Sequence, residues 1–461
     1  MLEGVQDRVR EQNKYQGDGT ITATNYTVDR KELNKVTAVA AIGTFIDYYD
    51  YFLAVFISSI VFNKIFFPSS LPAAVAAGES IASTIGVGYL SRPIGALIFG
   101  HFGDKLGRRG ALIGTLALAV VGLVGISVLP TYAVIGLGAV FLLILFRLLF
   151  GIAMGGEMGG ALSWTSEFAS NTKRRGLQIG MVGVSGALGS LTATVGLVIT
   201  SKLTSPSYFL NTGWRIMYAV GAVAIILAII ARYRAAESPM FTKLKHEGLL
   251  KSKGTPIIGT LRYNWYKILI LAWIPVIGTL VATTFSAYVP LYLETSAMHF
   301  KTPFVYTLTT ISSAAAVILT IVMAYLSDVL GRKLTILITI TVGTWIFAIP
   351  AMLLLLPSLN SELLIIMSVI FSSLVLSAFG AYPAVFAESF DTKYRYTASG
   401  LTHQMNNVYG GLMFAFLFPY LLKTYGIGGS VTPLAVTFIV VSIISLGALL
   451  WAKETKGITM T

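Results

Sequence analysis

The stretch "GHFGDKLGRRGAL", residues 100 to 112, returns in weaker form as "AYLSDVLGRKLTI" at residues 324 to 336, so that Asp104 answers to Asp328 and Arg108 to Arg332 at an offset of 224. Two further pairs follow at nearly the same distance. Glu167 in "SEFASNTKRRG" answers to Glu388 in "AESFDTKYRYTASG" at an offset of 221, and Glu237 in "ESP" answers to Glu454 in "ETKG" at 217. A chain that repeats at one fixed period is built from copies of one structural unit, here two halves.

Composition says what kind of unit. Of 461 residues, 55% are hydrophobic and 11% charged, where soluble domains carry about 25% charged residues. Crossing the hydrocarbon layer as helix takes about 20 apolar residues. Such runs fall near 36–62, 78–102, 110–129, 133–166, 177–201 and 214–232 in the first half. The second half repeats them near 267–293, 304–326, 334–356, 363–387, 397–421 and 431–451. The expected fold is an all-α membrane protein of twelve transmembrane helices in two pseudo-symmetric six-helix bundles. Residues 1–35 read as a polar tail, 36–232 as the first bundle, 233–266 as a basic connector, 267–452 as the second bundle and 453–461 as a short tail.

Lys and Arg gather on one side of this layout. Loops carrying Lys105, Arg108, Arg109, Lys173, Arg174, Arg175, Arg332, Lys333, Lys393 and Arg395 alternate with loops holding only Lys64, Lys202, Arg215, Lys301 and Lys423. Short cytoplasmic loops carry the basic excess, so both termini are expected inside a plasma-membrane protein. The net charge of +13 is then an inward coat facing the lipid surface, which needs no nucleic-acid partner. The absence of cysteine rules out disulfides and thiolate chemistry. No histidine spacing suits a metal, no phosphate-cradling loop follows a strand, and no cofactor is expected. Asn25-Tyr26-Thr27 has the form of a glycosylation sequon, inert on an inward tail.

Charges inside apolar runs carry the function. An ionised group at the bilayer centre costs about 2.5–3.5 kcal/mol on the mildest scale and usually faces an interior cavity. Asp47 and Asp50 in "GTFIDYYDYFLAVF", Arg92, Arg147 and Glu157 are such groups, all in the first half. The second half offers neutral polar groups at that depth: Tyr288, His403, Gln404, Asn406 and Asn407. Asp47 and Asp50, three residues apart, share a helix face, roughly 18 and 22 Å from the inner surface at about 1.5 Å per residue. Two carboxylates that close in low dielectric do not readily both stay ionised, so one can bind and release a proton. Arg147 is the expected counter-charge, unless the pair is a permanent structural bridge. Glu157 either relays the proton inward or satisfies nearby backbone. Arg92, with a fork of donors that matches a carboxylate, suits an anionic substrate or else partners Asp47 or Asp50. Tyr48, Tyr49 and Tyr51 are candidates for the cavity wall. The glycines of "GIAMGGEMGG" are expected to let helices approach closely.

The loop "GHFGDKLGRR", together with "RLLFGIAMGGEMGGALSWTSEFA", "TGWRIMYAVG", "AAESPMF" and "FSAYVPLYL", resembles the major facilitator superfamily over nearly the whole chain, and within it the metabolite:proton symporters. The resemblance implies proton coupling through a first-helix aspartate and Arg147. It also implies a gate in which Gly103, Asp104, Arg108, Arg109, Glu167 and Arg175 latch the halves, with Asp328, Arg332, Glu388 and Arg395 doing likewise in the second half. Sugar porters share "ESP" and "ETKG", but "IPVIGTLVATTFSAYVP" lacks their paired glutamines, and the acid that phosphate symporters carry in this seventh helix is also missing. The expectation is a monomeric secondary transporter, not an enzyme, that takes up a small organic anion with protons. A sugar or polyol symporter, a phosphate symporter and a transporter-like receptor are the alternatives.

Overall fold

The computed structural model describes residues 30–68, 70, 80, 82–246, 256–295, 302–355 and 362–460. The Asn25 sequon, nearly all of the N-terminal tail, and Lys251, Lys253 and Lys301 lie outside the described residues. The first six long helices are α1 (Arg30–Ile57), α2 (Val87–Leu106), α3 (Arg108–Ser127), α4 (Leu137–Phe168), α5 (Arg175–Leu203) and α6 (Trp214–Tyr233). In the second half, α7 comprises Pro256–Ala272 and Val276–Thr295, bent by 47°. There follow α8 (Thr302–Leu330), α9 (Arg332–Leu353), α10 (Glu362–Phe371 running on to Tyr382–Glu388), α11 (Arg395–Leu412) and α12 (Val431–Trp451).

Nine of these helices, or ten with the bent α7, are long and apolar enough to span a bilayer by composition alone. The two that fall short are α2 and α11. The first carries Arg92, Asp104 and Lys105, and the second carries Arg395, His403, Gln404, Asn406 and Asn407. Helix α11 is sheltered from lipid where it packs along α2 and α4, whereas α2 keeps Arg92 and Asp104 on its buried face and turns Leu90, Ile94, Ile98 and Phe102 outward. The outward faces of the other helices present Phe141, Val220, Ile318 and Val440 to the bilayer.

Three boundaries have local causes. Helix α1 starts at Arg30, inside the stretch expected to be tail, with Glu32 in its first turn, where a carboxylate complements the helix dipole. Lys35 then anchors the turn by donating to the carbonyl of Arg234 at 3.0 Å. Helix α7 bends just before Pro275, which lacks the N–H needed to continue the helical ladder. The expected connector is helical over Pro239–His246 and again from Pro256.

The repeated motif makes the same turn twice. Gly107 separates α2 from α3 with φ 127°, and Gly331 separates α8 from α9 with φ 102°, a region open to glycine and strained for other residues. A side chain would also collide there: a Cβ on Gly107 would lie 2.5 Å from Glu237, and one on Gly331 2.8 Å from Glu454. The halves meet where α5 packs along α8 and α11 packs along α2 and α4. Between α4 and α11 a Cβ on Gly159 would lie 2.6 Å from the Cα of Gly400.

Candidate transport site and the paired contacts at the basic end

On the basic side of the molecule, each half extends a carboxylate to a helix start in the other. Asp104, at the end of α2, accepts the backbone N–H of Tyr396 at 3.1 Å and of Thr397 at 3.0 Å, and the Thr397 hydroxyl at 2.6 Å. Asp328, at the end of α8, accepts the N–H of Gly176 and of Leu177, both at 2.8 Å. The first turns of α11 and α5 expose unpaired N–H groups and partial positive charge, so each carboxylate is a charged cap supplied from across the interface.

An arginine braces each cap. Arg108 donates to Asp104 at 2.7 Å and to Glu167 at 3.0 Å; Arg332 donates to Asp328 at 2.8 Å and to Glu388 at 3.0 Å. Two more arginines cross between halves, Arg175 to Glu388 at 2.6 Å and Arg395 to Glu167 at 3.4 Å. Ser238 donates its hydroxyl to Glu167, and Thr455 does so to Glu388. Glu237 accepts the N–H groups of Arg108 and Arg109, as Glu454 accepts those of Arg332 and Lys333. Arg109 also reaches the carbonyl of Ala235 at 3.1 Å, and the Gly103 carbonyl accepts from Arg108 at 2.7 Å.

Deeper in the first half lie three buried arginine–carboxylate pairs. Arg92 engages Asp47 with both fork nitrogens, at 2.7 and 3.0 Å, the bidentate geometry that charged pairs favour. Arg147 holds both oxygens of Asp50, at 2.8 and 3.1 Å, and donates to the Tyr218 hydroxyl. Arg232 clasps Glu157, which also accepts the Thr115 hydroxyl at 2.7 Å. Among the described residues, the second half has no ion pair at this depth.

A cavity of about 110 Å³ lies between the halves, lined from α1, α2, α5, α7, α8, α10 and α11. Arg92 is the one cation and Asp47 the one carboxylate among its lining residues. Aromatic rings form one wall, including Tyr48, Tyr51, Phe52, Tyr89 and Phe379. A smaller cavity of about 20 Å³ adjoins it and reaches Asp50 and Arg147; Tyr51, Tyr89 and Arg92 line both.

The family model for sugar (and other) transporters matches residues 36–255 and 258–461. The chain belongs to this family of transporters. It is 30% identical over 416 residues to the inner membrane metabolite transport protein YhjE of Escherichia coli, covering 86% of this chain and 89% of that protein. Identity to the shikimate transporter of Escherichia coli is 29% over 412 residues, with 86% and 90% covered. In fold it matches a solved proton:xylose symporter of the major facilitator superfamily, XylE, with a TM-score of 0.74 at 18% identity, covering 93% of this chain and 98% of that one. The twelve-helix architecture expected from the repeat is thus the architecture of the superfamily.

Within this transporter the expected residues sort by position. Asp47, Tyr48, Tyr51, Arg92 and Asn407 line the larger cavity. Arg147 pairs with Asp50, one turn beyond Asp47, while Arg92 takes Asp47 itself. Tyr49 turns away and donates to the carbonyl of Met217 at 2.9 Å. Tyr288 packs on Tyr292 and Phe418, outside the lining. Gln404 donates to the carbonyls of Met154 and Gly155 across the interface, Asn406 receives Thr279, and His403 stacks on Phe379 and Tyr382.

Several participants were not visible beforehand. Arg232 reads in the sequence as one of the inner coat charges; it is fully buried because the last turn of α6 tucks against α3. Tyr218, Thr115, Ser238 and Thr455 carry no signal of their own. Glu237 and Glu454 were marked by the repeat, but nothing in the sequence shows that they cap helix starts.

Proposed function

We propose that the protein is a proton-coupled symporter of a small organic anion, working by alternating access in the plasma membrane with both termini inside. The observation that carries this reading is the Asp47–Arg92 pair at the cavity wall, a bidentate fork already filled by a carboxylate of the protein. An incoming carboxylate can occupy that fork only when Asp47 lets go, and Asp47 lets go at least electrostatic cost when it takes up a proton. One proton and one anion then enter together, and the cavity stays neutral, as a low-dielectric site requires. The adjoining Asp50–Arg147 pair, joined to the first through Tyr51, Tyr89 and Arg92, is the second coupling site. Glu157, clasped by Arg232 and Thr115, supports the helix packing beneath both. The latches at the cytoplasmic ends close that side while the cargo is taken up. A single chain supplies both walls of the cavity, so it acts as a monomer. The printed names of its relatives, a metabolite transport protein and a shikimate transporter, support an organic acid as cargo.

The test is uptake of labelled organic acids into proteoliposomes under an imposed pH gradient. Asp47→Asn should abolish accumulation against a gradient while leaving exchange of cargo across the membrane. Accumulation equal to that of the parent would remove Asp47 from the coupling scheme.

A further inference from the structure

The smaller of the two cavities is walled by polar side chains that each have an atom left over. Arg92 and Arg147 both line it. Their terminal nitrogens are taken, by Asp47 in the first case and by Asp50 and the Tyr218 hydroxyl in the second. The Nε–H of each arginine is buried and has no partner. Thr84 lines the same cavity, 2% exposed, and its hydroxyl is also without a partner. Thr115, Thr194 and Thr320 donate to the carbonyl three or four residues back along their helices; Thr84 does not. It stands in a π-helical turn, Ala82–Gly86, that leads into α2, a local geometry found frequently at functional sites. A fourth polar group is the Asp50 carboxylate, which lines this cavity and not the larger one.

We infer that the smaller cavity is a binding site for one water molecule, and that this water is the link by which Asp50 exchanges protons with the larger cavity. A buried N–H or O–H left unpaired bears the full cost of its dehydration, and three of them around one void call for a common partner. The size suits water, for about 20 Å³ holds one molecule at roughly 10–15 Å³ each. The donor set suits it too. Water accepts two hydrogen bonds and gives two, here accepting from Arg92 Nε and Arg147 Nε and giving to Thr84 Oγ1 and Asp50, within the two to four polar partners that a buried water requires. A chloride ion would meet the same donors. Each arginine already has its aspartate, however, and an added anion beside Asp50 would be a buried charge with no counterpart.

The role of the water rests on the coupling scheme above. Asp50 does not line the larger cavity, so a proton bound for it crosses the smaller one. One O–H of the water passes its proton to the carboxylate while the oxygen takes up another from the side of Tyr51 and Tyr89, which line both cavities, and the molecule is unchanged at the end. The charged and titratable groups around Asp50 are Asp47 and Tyr49 on its own helix, Arg92 on α2, Arg147 on α4 and Tyr218 on α6. Of these, Arg92 and Arg147 share the water, which puts the two ion pairs in contact through one oxygen.

Thr84→Val tests the site without any cargo, through the sign of its effect on the melting temperature of the purified full-length protein. In a dry cavity the hydroxyl is an unpaired buried group, and the isosteric valine raises the melting temperature by relieving it. With water bound the hydroxyl is a partner, the valine strands the water, and the melting temperature falls by about 2 °C, while Thr84→Ser stays with the parent. A rise in Thr84→Val overturns the water site. So does a melting temperature that climbs when chloride replaces gluconate at constant ionic strength and climbs less in Thr84→Val, which would assign the cavity to an anion. The role is read by time-resolved infrared spectroscopy, as the rate at which the protonated carboxyl band of Asp50, identified by its loss in Asp50→Asn, appears after a downward pH jump. Thr84→Val should slow that rate at least tenfold and Thr84→Ser less than twofold. An unchanged rate in Thr84→Val, or no such band in the parent, overturns the relay; since neither measurement involves cargo, the anion reading then still stands.

Discussion

The two halves of this transporter are nearly the same molecule at the basic end and different molecules at the membrane centre. At the end, cap answers cap: Asp104 on α11 and Asp328 on α5, Arg108 on Glu167 and Arg332 on Glu388, Ser238 and Thr455 on the same two glutamates. At the centre, the first half holds three buried ion pairs, of which Asp47–Arg92 shares a cavity with Thr, Ser, Asn and aromatic groups of the second half, where no ion pair lies at that depth among the described residues. Alternating access explains the split. A gate that holds two bodies together needs matched contacts from both, because the reaction that opens it moves each body equally. Charge movement needs only one half, since a matching set of buried ions in the other would add desolvation cost without adding a coupled step. The halves therefore match where they do the same work and differ where one half suffices.

The comparison breaks most visibly at the buried pairs. Removing one partner of a buried ion pair costs about 3–5 kcal/mol, whereas replacing both is often tolerated. Arg147→Leu should lower thermal stability sharply, and Asp50→Leu added to it should restore much of the loss, with transport absent in both. A double variant no more stable than the single one would mean that Asp50 and Arg147 do not compensate each other. The equivalent depth in the second half should answer differently: Asn407→Ala should alter cargo affinity with little change in stability.

At the gate the halves should instead respond alike. In the proposed cycle these caps hold the cytoplasmic side shut, so Asp104→Asn and Asp328→Asn should each shift the balance toward the inward-open form. A loss of about 1.4 kcal/mol moves that ratio about tenfold. Because the chain has no cysteine, one introduced on the cavity wall reports the shift as faster labelling from the cytoplasmic side. Acceleration in only one of the two variants would show that the symmetry of the contacts is not a symmetry of function.

The smallest effect lies in the two outer glutamates, where the match is imperfect. Burial pushes the carboxyl of Glu237 above its ordinary value, and the N–H groups of Ser238 and Arg109 only partly offset it. Burial acts on Glu454 too, but the N–H groups of Lys456, Lys333, Arg332 and Thr455 outweigh it and leave the carboxyl below its ordinary value. The linkage signs are opposite. Glu454 contributes stability above the ordinary glutamate range, lost as pH falls through its lowered folded value. Glu237 contributes the reverse, gaining stability relative to the unfolded chain as pH falls through its raised value. Melting curves from pH 7 to 4 should show the cost of Glu454→Gln fading toward acid, and Glu237→Gln less costly than Glu454→Gln at pH 7. Identical pH profiles for the two variants would erase this asymmetry.

Much of this architecture is legible in the sequence because the repeat marks the paired end contacts directly, and the resemblance to the superfamily implies a gate there. Asp104 and Asp328 are recognisable as partners from spacing alone, and their role at a helix start follows from charge and dipole. The buried aspartates and arginines stand out because charge is rare in apolar runs. What spacing could not supply is pairing between helices: that Arg147 meets Asp50 and Arg92 meets Asp47 depends on how α2 and α4 rotate against α1. Arg232 was hidden for another reason, since a charge at the edge of an apolar run looks like loop until packing buries it.

The contact between Gly159 and Gly400 has a consequence for the membrane itself. A carrier powered by a proton gradient must not conduct protons when idle, and a file of water molecules through the closed side would do so. Where α4 and α11 touch, backbone lies against backbone with not even a methyl group between them, too close for water to enter. In the proposed cycle the two glycines help to insulate the side that is shut.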